Sequence, residues 1–269
     1  MITFTSVQLD TWLAIYLYPL ARILALLATA PVFNSAGLST QLRLVLGLAI
    51  ALAVAPALPE VPAIPPGSWQ GIAVLGQQML IGTIQGLTLR IIFTAVDIAG
   101  ELIGLQMGLS FATFFDPHSS AQTAVMSSFL GLVTTLLFLS MNGHLLILSV
   151  LAESFHLLPI SATPFAAAGF GAFIAWSTTM FSAGLMLALP LIAALLIANI
   201  SLGVLARIAP QLNIFAIGFP VTSVTGFAVL MLSLPHLGDA LQRLYDRGFI
   251  ALSDVLRAGG ALPFPGGSS

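Results

Sequence analysis

Apolar residues dominate the chain in long runs, and polar residues fall between them. Runs able to cross about 30 Å of hydrocarbon need roughly 20 residues, and they are drawn at Trp12–Ala30, Leu42–Leu58, Gly71–Leu89, Ala121–Leu151, Phe165–Leu205 and Ile214–Leu234. Six apolar helical elements are expected. The second is short and closes on Pro56 and Pro59, while the fourth and fifth are too long for one span and must tilt, break or protrude. From His236 to Arg257 the pattern changes. Leu237, Leu241, Leu244, Phe249, Leu252 and Leu256 recur at near-helical spacing with charges between them, which predicts an amphipathic C-terminal helix stopped by Gly259 and Gly260. Residues 259–269 are expected to form a disordered tail.

Composition agrees with this pattern and narrows it. With 58% hydrophobic and 6% charged residues and a mean hydropathy of +1.08, the chain falls outside the range of soluble domains. An all-α membrane-associated protein is the fold class expected. The seven basic residues are all arginine and the net charge is -2, so no basic patch exists to follow a phosphate backbone, and nucleic acid is excluded as a partner. The Ala28-Thr29-Ala30 sequence has the form of a signal cleavage site. Met1 to Thr11 lacks the basic region that a signal peptide needs, so the first run is expected to be retained.

Loop charges give a partial topology. The loop with Pro59, Pro62, Pro65, Pro66 and Gly67, and the one between Pro159 and Pro164, carry no basic residue, whereas Arg43 and Arg207 mark cytoplasmic loops. Arg243, Arg247 and Arg257 then place the C-terminus on a side that six simple spans do not reach. A simple serpentine is disfavoured.

Arg90 to His118 concentrates what chemistry the chain has. Asp97 and Glu101 stand one helical turn apart, and Gly100, Gly104 and Gly108 recur every fourth residue, a bare stripe where backbones approach closely. Gly82 and Gly86 repeat that spacing earlier on the same helix. Phe111, Phe114 and Phe115 follow, and Asp116-Pro117 ends the segment. Arg22, Arg90, Asp97 and Glu101 are ionisable groups within apolar surroundings, where each costs roughly 2.5–3.5 kcal/mol. They are read as pairing between helices or burial against a partner, ahead of a conduction site. His118, His144, His156 and His236 are scattered, and there is no cysteine, no paired-ligand spacing and no nucleophile elbow. No metal site, cofactor or enzymatic activity is expected.

Asn199 to Pro220 reads NISLGVLARIAPQLNIFAIGFP. The arrangement of Asn199, Leu202, Gly203, Arg207, Pro210, Gln211, Asn213, Phe215, Gly218 and Pro220 resembles the signature of the FliR family of type III secretion export-gate subunits. Ala99 to Phe111, followed by Asp116-Pro117, is similar to the flagellar branch of that family, as is the opening Trp12 to Pro31 with Arg22. The resemblance implies a non-enzymatic subunit that co-assembles with FliP and FliQ into a closed gate for unfolded flagellar proteins. FlhB is implied as a further neighbour, and membrane lipid as surroundings in the bacterial inner membrane at the flagellar basal body. It implies one helical export-gate domain over residues 1–258, FliP-like to about residue 160 and then a FliQ-like hairpin with the C-terminal helix. It also places the gate loop on Gly104 to Asp116, with Met107, Phe111, Phe114 and Phe115 as the plug. A multi-pass secondary transporter and a purely structural scaffold are the alternatives.

Overall fold

The computed structural model describes residues 6–33, 38–59, 62, 64–109, 125–211 and 213–260. Among these it forms eight α-helices: α1 Ser6–Thr29, α2 Thr40–Val54, α3 Trp69–Gln106, α4 Val125–Ser140, α5 Gly143–Leu157, α6 Ala167–Ser177, α7 Thr179–Ile208 and α8 Ile214–Gly260. The count exceeds six because the fourth and fifth runs each break once. The sixth run and the amphipathic stretch, expected as two elements, form the single helix α8.

Each break has a local cause. Between α4 and α5 the axis bends by 66° at Met141 and Asn142, and Asn142 takes the left-handed conformation (φ 57°), one that asparagine tolerates better than most side chains. Between α6 and α7 the break falls at Thr178. In α8, by contrast, Pro220 and Pro235 lie inside the helix without ending it. Each proline removes one backbone bond, yet the helix continues through both.

Lengths argue against a simple stack of spans. α3 has 38 residues and α8 has 47, about 57 and 70 Å at 1.5 Å per residue, well beyond a hydrocarbon core. α2, at 15 residues, is too short to cross upright. Its N-cap is Ser39, whose hydroxyl accepts from the Leu42 amide at 3.3 Å. Among the described residues, four stretches are long and apolar enough to cross a membrane, or five when bent α4–α5 counts as one span.

The chain divides into two compact units that interleave along the sequence. The first comprises Met1–Arg90, Asn142–Ser177 and Arg247–Ser269; the second comprises Ile91–Met141 and Thr178–Asp246. In the first, α1 buries Ala14, Tyr18, Arg22, Leu26 and Ala30, a stripe at i, i+4 spacing that fixes which face meets the core. The end of α8 is tied to the start of α6 by an Ala166 amide bond to the Gly259 carbonyl at 2.9 Å. Phe165 packs edge-on to Phe170 beside this tie. In the second unit Phe93, Phe138 and Tyr245 meet at centroid distances of 5.2–6.1 Å, and the Tyr245 hydroxyl donates to the Thr134 carbonyl at 3.0 Å.

Candidate functional site

Arg22 is the largest fully buried side chain of the first unit. Among the described residues no carboxylate holds it. Its Nε donates to Gln78 Oε1 at 2.8 Å, Nη1 to the Ser154 carbonyl at 2.9 Å and to Ser154 Oγ at 3.1 Å, and Nη2 to the Leu158 carbonyl at 2.8 Å. The guanidinium carbon lies 4.2 Å from the centroid of the Phe155 ring. Ser154 and Leu158 stand in the last turn and at the C-cap of α5, so the cation sits on the negative end of that helix, bonding the Leu158 carbonyl and adding a second bond to the Ser154 carbonyl, which also accepts from the Leu158 amide at 2.9 Å. The planar fork suits three directions at once, which a point-charge ammonium does not. Arg22 was expected to find a charged partner or another protein chain; it finds a helix end, an amide and a ring within this chain.

Gly82 and Gly86 seat α3 against the same helix. A Cβ at Gly82 would collide with the Arg22 carbonyl, and one at Gly86 with the Thr29 side chain. The i, i+4 glycines therefore bring α3 within backbone distance of α1, and this proximity places Gln78 beside the guanidinium.

In the second unit the stripe on α3 behaves unevenly. At Gly100 a Cβ would collide with the backbone of Ser127 on α4, while the Ser127 hydroxyl donates to the Asp97 carbonyl at 2.7 Å. At Gly104 the nearest atom would be Met126 Cβ at 3.6 Å, an ordinary contact. Gly108 departs from the stripe altogether. It follows the helix with φ 79°, its amide bonds the Leu105 carbonyl at 3.1 Å, and the Leu109 amide bonds the Gly104 carbonyl at 3.0 Å. This is a Schellman ending, in which glycine supplies the left-handed residue. The tight point of the stripe is thus Gly100. Gly100→Ala is expected to destabilise the chain by about 1–3 kcal/mol through overpacking, whereas Gly104→Ala gains helix propensity and is expected to be neutral or stabilising. Thermal unfolding of the two purified variants checks the order, and equal behaviour would contradict it.

Met107, expected in the plug, does not project from the helix end. It is wholly buried, its side chain fills the notch at Gly226 of α8, and its carbonyl accepts from Thr222 Oγ1 at 3.3 Å. Met107 anchors the end of α3 to α8. Phe111, Phe114 and Phe115 lie outside the described residues.

Arg90, Asp97 and Glu101 are exposed along α3, in contrast to Arg22. On the α7–α8 hairpin, Asn199, Gly203, Arg207, Pro210, Gln211, Asn213 and Pro220 are exposed and Gly218 is half-exposed. Arg207 lies in the last turn of α7, where its charge suits the helix end, and Asn213 immediately precedes α8. Among the described residues, no atom outside the local helix backbone lies within 4 Å of a Cβ built at Gly203 or Gly218. Large apolar residues around them, including Ile200, Ile208, Phe219 and Val224, are more than half exposed. Among the described residues no group of three or more histidine or acidic side chains could hold a metal ion.

Residues 13–248 of the chain match a family described as Bacterial export proteins, family 1. The chain belongs to this family. It is 45% identical over 256 residues to the flagellar biosynthetic protein FliR of Pectobacterium carotovorum subsp. carotovorum, covering 95% of this chain and 98% of that one. It is 42% identical over 258 residues to FliR of Escherichia coli strain K12, with the same coverage. FliR of Bacillus subtilis strain 168 shares 29% over 244 residues, covering 90% of this chain and 94% of its own. This member of the bacterial export family is a component of the flagellar export apparatus, and its long apolar helices give it a membrane location.

Among family members the hairpin and the α3 end are the segments that the sequence resemblance singled out. What that reading missed is the set around Arg22. Gln78, Ser154 and Phe155 are dispersed in sequence, and the available signal is Gln77, Gln78 and Gln85 within the apolar run that precedes Arg90.

Proposed function

We propose that the chain co-assembles with FliP and FliQ, beside FlhB, into the closed gate through which unfolded flagellar proteins leave the cytoplasm, within the bacterial inner membrane at the flagellar basal body. Residues 1–160 serve as its FliP-like portion and 161–258 as its FliQ-like hairpin and C-terminal helix. The observation that carries this reading is the exposure of Arg90, Asp97 and Glu101 on an apolar 38-residue helix. A charge facing lipid near the bilayer centre costs roughly 2.5–3.5 kcal/mol even on insertion scales. Three such groups on one helix are better explained by protein or a water-filled passage beside them. The hairpin supports the same reading. Few of its described residues are buried, and the open space at Gly203 and Gly218 suits close approach by helices of another chain.

In this account Phe111, Phe114 and Phe115 close the passage. A pore wide enough for an extended polypeptide must exclude ions at rest, and apolar rings that can be displaced do this by dewetting. The chain supplies no ring of its own around a pore, so side chains from the other subunits complete the seal. The reading is tested by co-expressing the tagged chain with FliP and FliQ and weighing the intact product. A single stoichiometric complex is expected, and Arg207→Lys is expected to lower its yield several-fold because the amine cannot replace the guanidinium fork. Isolation of a stable, monodisperse chain without either partner would overturn it.

A further inference from the structure

The second unit contains a cavity of about 510 Å³ that neither the gate loop nor the hairpin motif uses. Its walls are Val96, Ala99 and Ile103 of α3, Leu130 of α4, Met186 to Leu191 of α7, and a strip of α8 from Leu230 to Arg243. The size falls in the range of small-molecule sites, roughly 300–1,000 Å³. Its shape and chemistry are more specific than its volume. The α8 strip spans 14 residues, about 20 Å of helix. Leu230 and Leu232 stand at one end, Ser233 and His236 follow, Leu237 and Ala240 continue the apolar wall, and Arg243 closes the strip at the other end. Every ionisable residue in the lining is basic or histidine, and no carboxylate lines it. Asp239, exposed on the same helix one turn before Arg243, is not part of the wall. On α7, Pro190 lacks the amide that would bond the Met186 carbonyl, and both residues line the cavity.

An elongated apolar trough that ends in a guanidinium is the negative of an anionic amphiphile. We infer that the cavity holds one acyl chain of an anionic phospholipid, with Arg243 on the phosphate. Length selects a chain rather than a compact solute, because about 20 Å of wall matches a long acyl tail. Charge selects the headgroup, because a zwitterionic lipid gains little from a single guanidinium, whereas an anionic phosphate accepts two parallel bonds from it. Arg243 both lines the cavity and is exposed, so a headgroup outside the trough can meet its guanidinium. The inference is independent of the gate assembly, since every lining residue belongs to this chain. The rival occupant is an apolar side chain of a neighbouring subunit.

The test uses the full chain, with whatever subunits co-purify, delipidated in detergent and examined by native mass spectrometry. Phosphatidylglycerol and phosphatidylcholine with identical acyl chains are added in parallel. The wild type is expected to retain one phosphatidylglycerol at about tenfold lower concentration than phosphatidylcholine. Arg243→Gln, which removes the charge and leaves every apolar lining residue in place, is expected to abolish this preference. Ala240→Trp, which fills the trough, is expected to exclude both lipids. Glycerol phosphate, the headgroup without chains, is expected to leave the lipid bound. Equal retention of the two lipids by the wild type, an unchanged preference in Arg243→Gln, or displacement by glycerol phosphate would each overturn the inference. Retention of phosphatidylglycerol at wild-type affinity by folded Ala240→Trp would do so as well, by moving the lipid elsewhere. Occlusion of the cavity by another subunit would show as no lipid retained by the complex and none regained on titration, and it too would overturn it.

Discussion

Arg22→Ala is expected to leave little folded protein in the membrane. The substitution removes donors to Gln78, Ser154 and Leu158 in a site with no exposure to solvent, and it opens a void beside Phe155. Charge-assisted hydrogen bonds contribute about 1.5–3 kcal/mol each, and buried groups left without a partner cost about 1–3 kcal/mol. Burial of the charge itself opposes these terms. The balance is read from Arg22→Met, which fills the space without charge and is expected to lose less stability than alanine. A net loss of 3 kcal/mol or more for alanine would be a large part of the roughly 5–15 kcal/mol that holds a domain together. Arg22→Lys keeps the charge but cannot reach three directions, so it is expected to behave worse than methionine. Thermal unfolding and membrane yield of the three variants decide the matter. Arg22→Ala within about 1 kcal/mol of wild type would mean that the cluster is incidental.

The second large effect concerns the phenylalanines. Replacing Phe111, Phe114 and Phe115 together by serine is expected to leave the complex assembled and to raise its resting ion conductance. The two properties separate because the packing points lie elsewhere: Gly100 against Ser127, and Met107 against Gly226 and Thr222, fix the end of α3 before the phenylalanines begin. If the rings were tightly packed core, removing each would cost about 3–5 kcal/mol and the subunit would be lost instead. Met107→Ala supplies the contrast. It is expected to lower stability by about 2–5 kcal/mol, as for any buried methionine, without a selective leak in the complexes that survive.

Particular residues show how far sequence reasoning reached. The helices were legible because apolar periodicity and length are one-dimensional properties. The runs from Ala121 and Phe165 were too long for single spans, and both break, at Met141–Asn142 and Thr178. The continuity of α8 was not legible, since Pro235 and the change of pattern at His236 look like a boundary on paper. In the structure the helix continues through both. The glycine stripe was visible as a period, but period does not tell which glycine touches a neighbour. Gly100 does, Gly104 meets only a side chain at contact distance, and Gly108 ends the helix. Met107 was misplaced for a related reason, because position beside a loop does not give direction. Arg22 posed the hardest case. Its partners are carbonyls and an amide supplied by α5 and α3, and backbone acceptors at a helix end have no signature in residue type.

The central claim is that this chain helps close a protein-conducting gate, and the resting conductance of reconstituted complexes tests it most directly. Wild-type complexes of the chain with FliP and FliQ in planar bilayers are predicted to be electrically silent, and the triple serine variant, at equal complex yield, is predicted to conduct small ions. Equal silence from both complexes at equal yield would contradict the claim.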